Sequence, residues 1–149
     1  TGHMRSKVGA LPLVLVGLLL GSCASPRGLD EPPLQLATLK PGYGRVYFVR
    51  PGELVGVALQ PEIRMNNEVV GRSVPGGFSY VDRPPGQYSV TTATEVENAV
   101  TFRLAAGETK YIKTTVTPGI LVGRVTPTLE FPEQGQSDIN RLRYVGAKL

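Results

Sequence analysis

Two kinds of apolar pattern divide the chain. Between Ala10 and Gly21 the residues are uncharged and mostly apolar, whereas from Gly44 onward apolar residues come in short runs broken by Gly, Pro and Asn. The second pattern predicts strands, because successive side chains of an extended backbone point to opposite faces. Arg45-Val46-Tyr47-Phe48-Val49-Arg50 is the densest β-favouring run; it is apolar on both parities, so it predicts a central strand covered on both faces and ended by Pro51. Residues 52–61 read as a loop with room for a short strand. Glu62–Met65 and Glu68–Gly71 flank Asn66-Asn67, a pair that tolerates the positive φ of a tight hairpin turn.

Further strands are predicted at Phe78–Val81, Gln87–Thr92, Ala99–Leu104 and Thr109–Val116, with Val100, Phe102 and Leu104 sharing one face. Pro118-Gly119 fits the centre of a type II turn leading into a strand over Ile120–Val125 and a short one over Leu129–Phe131. Near the end, Ser137 fits a helix cap, and Ile139, Leu142 and Arg143 fall at helical spacing. Strand signals about 8–12 residues apart predict an all-β protein, an antiparallel sandwich or barrel, with a short C-terminal helix.

The continuous apolar run has a different meaning. Arg5 and Lys7 precede it, it spans about 12 residues where a bilayer core needs about 20, and small residues lead into Cys23. This is the layout of a secretory signal. Leu20-Gly21-Ser22-Cys23 resembles the lipobox of bacterial lipoproteins, which implies cleavage before Cys23, a diacylglycerol thioether on its sulfur and N-acylation, with palmitate as a typical chain. The absence of Asp after the cysteine implies outer-membrane sorting by the same resemblance. The expected organisation is a cloning remnant at 1–3, a signal peptide at 4–22, a Pro-containing tether at 23–43 and a sandwich domain at 44–149.

Composition narrows the chemistry. The only histidine is His3 and the only cysteine is Cys23, so the expected domain has neither a Ser-His-Asp or Cys-His pair, nor a disulfide, nor a His-ligated zinc. Without Arg5 and Lys7 the basic count falls to 14 against 12 acids, and no basic run exceeds a pair. That speaks against nucleic acid as a partner.

The succession Val46-Tyr47-Phe48-Val49-Arg50-Pro51, Asn67-Glu68-Val69-Val70-Gly71, Gly77-Phe78-Ser79-Tyr80, Pro85-Gly86-Gln87-Tyr88-Ser89-Val90 and Ala106-Gly107-Glu108-Thr109-Lys110-Tyr111 resembles a family of small bacterial envelope lipoproteins known as a domain of unknown function. The resemblance covers roughly Gly44 to Val125. It implies a transthyretin- or immunoglobulin-like sandwich and carries no established activity.

Several residues remain as candidates. Arg50, at the end of the central strand, can cap carbonyls there or present a guanidinium fork to an anionic partner. Glu95 and Glu97 are close enough to share a face or loop, either as a solvated pair or as acids for catalysis or calcium. Asp82 and Arg83 fit a turn-capping ion pair. Tyr43, Tyr47, Tyr80, Tyr88 and Tyr111 supply either a recognition surface or buried rings needing hydroxyl partners. The expectation is a non-enzymatic envelope lipoprotein held to the membrane through Cys23, without cofactor or metal, facing the periplasm and binding an envelope protein or polymer. The alternatives are a carboxylate-dependent envelope hydrolase and a small-ligand carrier with an apolar lumen.

Overall fold

The computed structural model describes residues 35–146. The expected signal peptide, Cys23 and the first part of the expected tether therefore lie outside the described residues.

The run Gly44–Arg50 forms β1, buried at every position as its two apolar parities require. It lies third of five in one sheet, between β4 (Gly77–Arg83) and β7 (Thr109–Thr117), with β8 (Arg124–Glu130) and the two-residue β9 (Arg143–Tyr144) at the edges. The second sheet has the order β3 (Glu68–Arg72), β2 (Glu62–Met65), β5 (Gly86–Ala93), β6 (Glu97–Leu104). The expected hairpin is present, with Asn66 and Asn67 at φ 49° and 69°.

Val46, Phe48 and Ile112 of the first sheet meet Ile63, Met65, Val70, Val90, Phe102 and Leu104 of the second. These side chains fill the space between the sheets. Thr92 Oγ1 in β5 donates to the Val125 carbonyl at 2.6 Å, tying β8 to the second sheet. The protein is thus an all-β two-sheet sandwich with one short C-terminal helix, α1 (Pro132–Arg141).

The opposite parity of β1 packs outward. Tyr47 lies in register with Tyr80 on β4 and Tyr111 on β7, and the Tyr47 and Tyr111 rings stack at 5.2 Å. This aromatic layer, with Val49 and Phe78, is covered by Ile139 and Leu142 at the end of the chain, and by Leu36.

Details depart from the sequence reading. β1 pairs with β7, and β4 with β9, in parallel, because the chain crosses between sheets before returning; alternation carries no information on direction. The expected strand over Ile120–Val125 starts only at Arg124, and Gly119 lacks the positive φ of a type II turn, which falls instead at Gly123 with φ 102°. The helix begins at Pro132, not at Ser137: proline's fixed φ suits a first helical position, and Ser137 lies inside the helix. Asp82 does not pair with Arg83. It takes Arg45 at 2.7 and 2.9 Å, while Arg83 reaches Glu68 at 3.3 Å, because the strand alternation sends the two side chains to opposite faces.

Candidate functional site

Two loops meet at the end of the sandwich where β1 and β7 finish. One, residues 51–61, joins β1 to β2; the other, residues 118–123, joins β7 to β8. Each carries consecutive aliphatic residues, and the two sheets leave nothing for them to pack on. Leu54 is 96% exposed and Ile120 86%, and Val55, Leu121 and Val122 are also exposed. Between the loops, Val55, Gly56, Val116, Pro118, Leu121 and Val122 help line a shallow depression of about 300 Å³. The loops approach at their bases: a Cβ on Gly123 would stand 3.3 Å from Leu59 Cδ1, and one on Gly56 would stand 2.9 Å from the Val116 methyls at the end of β7.

Both loops are held by buried charges. Arg50 is 1% exposed, and its guanidinium donates from Nη1 to the Leu59 carbonyl at 2.7 Å and to Ser73 Oγ at 3.0 Å. From Nη2 it donates to the Gly56 carbonyl at 3.0 Å. Burial lowers the guanidinium's proton affinity and nearby Glu53 opposes this; arginine remains charged at neutral pH. The fork is committed inward, to carbonyls of the loop that follows it, so Arg50 shapes the tip without being part of its surface.

Glu95 does the converse for the second loop. Its carboxylate accepts N–H bonds from Ile120 at 2.9 Å, Leu121 at 3.1 Å and Gly123 at 3.3 Å, and its side chain is only 11% exposed. Glu95 is therefore not part of a solvated acid pair. Glu97 lies elsewhere, in a groove with Glu62, Arg64, Thr91 and Ala93 on the second sheet, so the two acids do not converge. Among the described residues no group of three or more His, Cys, Asp or Glu is placed to hold a metal.

The tyrosines are divided. Tyr47 and Tyr111 are buried in the aromatic layer, Tyr80 and Tyr144 are half-buried at its margin, and Tyr88 faces Phe102 on the other side. Burial, then the neighbouring Tyr47, raises the Tyr111 phenol above its ordinary range, and its hydroxyl donates to Gln136 at 3.1 Å.

The strand and turn pattern does not single out the loop tip, although the sequence carries a signal for it. Leu54-Val55 and Ile120-Leu121-Val122 are consecutive apolar residues without alternation, each bracketed within a few positions by Gly or Pro. Such runs are too short and too tightly bounded to form covered strands.

Residues 40–124 match the family described as "Protein of unknown function (DUF2846)". The chain belongs to this family. The DUF2846 match takes in β1 to β7 and both loops of the apolar tip, whereas α1 and β9 lie beyond it. An "Uncharacterized protein" of Haemophilus influenzae (strain ATCC 51907 / DSM 11121 / KW20 / Rd) is 24% identical over 135 residues, spanning 87% of this chain and 80% of that protein. No solved structure matches the chain significantly.

Proposed function

We propose that this DUF2846 protein is a lipid-anchored, non-enzymatic binding module of the bacterial cell envelope, and that the paired loops 51–61 and 118–123 are the surface it presents. The observation that carries the reading is the tip itself: contiguous exposed aliphatic side chains on loops that Arg50 and Glu95 hold in place. Exposed apolar patches of this kind mark interaction sites, and a prebuilt tip spends little ordering entropy when it docks.

The arrangement of the ends supports the anchor. The described chain begins beside the start of β1, where Arg45 Nη2 donates to the Ala37 carbonyl at 2.7 Å. The tip lies past the other end of that seven-residue strand, roughly 20 Å away. Lipidation at Cys23 would then hold one end of the domain near the outer membrane while the apolar tip faces a protein or polymer of the envelope.

The test places a photoreactive residue at Leu54 or Ile120, with exposed Thr101 on the second sheet as control, in cells making the full chain. The expected result is a discrete adduct from the tip positions, absent from Thr101 and reduced in Cys23→Ser, which should also leave the membrane fraction. Equal labelling at all three positions, or membrane fractionation of Cys23→Ser after a salt wash, overturns the reading. So does turnover of peptidoglycan or lipid that is lost in Glu95→Gln or Glu97→Gln with folding intact.

A further inference from the structure

The last residue of β8 and the middle of α1 bring two carboxyl groups together in the interior. Glu130 has a side chain 10% exposed and Asp138 one 4% exposed. Each has one oxygen satisfied from outside. Lys113 Nζ on β7 lies 3.2 Å from Glu130 Oε1, while Arg141 Nη2 and Gln134 Nε2 on α1 donate to Asp138 Oδ1 at 2.6 and 3.2 Å. The second oxygens, Glu130 Oε2 and Asp138 Oδ2, are buried with no donor in reach. The two side chains are in contact with each other.

Charge count alone suggests balance, with one cation for each acid. Geometry contradicts it, since both cations take the outer oxygens and leave two inner acceptors without a hydrogen. Buried acceptors are seldom left bare, and two carboxyls sharing a site do not readily both ionise. Tyr111, across the β7–β8 ladder from Glu130, gives its hydroxyl to Gln136 and supplies no hydrogen here. A single proton held between the two carboxyls would supply the hydrogen that the pair lacks.

We propose that Glu130 and Asp138 share one proton, and that this proton latches α1 over the aromatic face of the first sheet. Losing it leaves two like charges in a dry contact that also carries the Tyr111 packing of the helix, so α1 loosens and uncovers Tyr47, Tyr111 and Phe78. The direction of the pH effect follows from Glu130, whose carboxyl is raised above its ordinary value by burial and then by Asp138, against Lys113. A group raised in the folded state contributes stability that is complete below its ordinary value and is lost as pH rises through the raised one. The latch therefore holds in acid and weakens toward alkaline pH.

The experiment follows carboxyl carbon shifts of the wild-type protein by NMR from pH 4 to 9, together with amide exchange of residues 136–142 corrected for intrinsic rate. We expect the Glu130 carboxyl to titrate above the ordinary carboxylate range, and α1 protection to fall by up to about tenfold per pH unit between that ordinary range and the raised titration, levelling off above it. In Glu130→Gln, whose amide can donate permanently to Asp138, protection should stay level. Lys113→Met should move the carboxyl titration further upward, independently of how the Gln variant folds. Titration of Glu130 within the ordinary range, or wild-type α1 protection that tracks Glu130→Gln at every pH, overturns the latch.

Discussion

Removing the Arg50 guanidinium would leave the carbonyls of Gly56 and Leu59 and the Ser73 hydroxyl without their charged donor at the base of the 51–61 loop. Hydrogen bonds to charged groups are worth about 1.5–3 kcal/mol each, so Arg50→Ala is expected to lower the unfolding free energy by about 3 kcal/mol or more, measured by urea denaturation. Arg50→Lys should recover only part, because an ammonium cannot span the two arms of the fork. An unchanged midpoint for Arg50→Ala would show that the loop is held by other contacts. Phe102→Ala should cost about 3–5 kcal/mol and its neighbour Thr101→Ala about 0.5 or less, since only Phe102 faces the core. The Phe102 outcome is legible in the sequence, because strand alternation assigns faces by counting. Partners of Arg50 are not legible: they lie 6, 9 and 23 residues away, on segments whose approach depends on the assembled fold.

Elements test the balance between local preference and packing. Gly135 sits in the middle of α1, where alanine would ordinarily favour the helix by about 1 kcal/mol. Its added Cβ would, however, enter the space of the Tyr111 ring, and overpacking typically costs about 1–3 kcal/mol. Gly135→Ala is therefore expected to lower the melting temperature despite improving helix propensity; a higher melting temperature would mean that the helix can shift outward freely. For the 118–123 loop, Glu95→Ala removes the acceptor of three N–H groups, and proteolytic cutting within the loop should accelerate while cutting elsewhere does not. Element identity is readable for β1 from its dense β-favouring run and for most of β2 to β7 from alternation and flanking turn residues. The start of α1 was misplaced because Ser137 carries a cap signal, while Pro132 reads equally well as a strand terminator; only packing against Tyr111 decides between them.

For the molecule as a whole, the sequence established the class of fold and the location of its compositional boundary, but not the assembly. The stretch before Gly44 looks like tether on account of its prolines, yet Leu36 packs on the aromatic layer and the Ala37 carbonyl takes a bond from Arg45. A chain beginning at Gly44 is thus expected to fold but to melt several degrees below one beginning at Gln35; equal melting curves would restore these residues to the tether. The apolar tip is legible only in part: each loop's apolar run shows in the sequence, but no pattern within either loop indicates that the two stand side by side. The parallel seam between β1 and β7 also bears on how the protein is made. Arg45 finds its partner Thr109 only 64 positions later, and the intervening chain must first build the second sheet. Contacts that distant close slowly, so during synthesis β1 is the earliest of the described strands to emerge and among the last to be completed on both edges. Until Thr117 is available, the strand that is buried along its whole length has one open side, and its protection from aggregation in that interval falls to the cellular machinery that handles the unfolded chain.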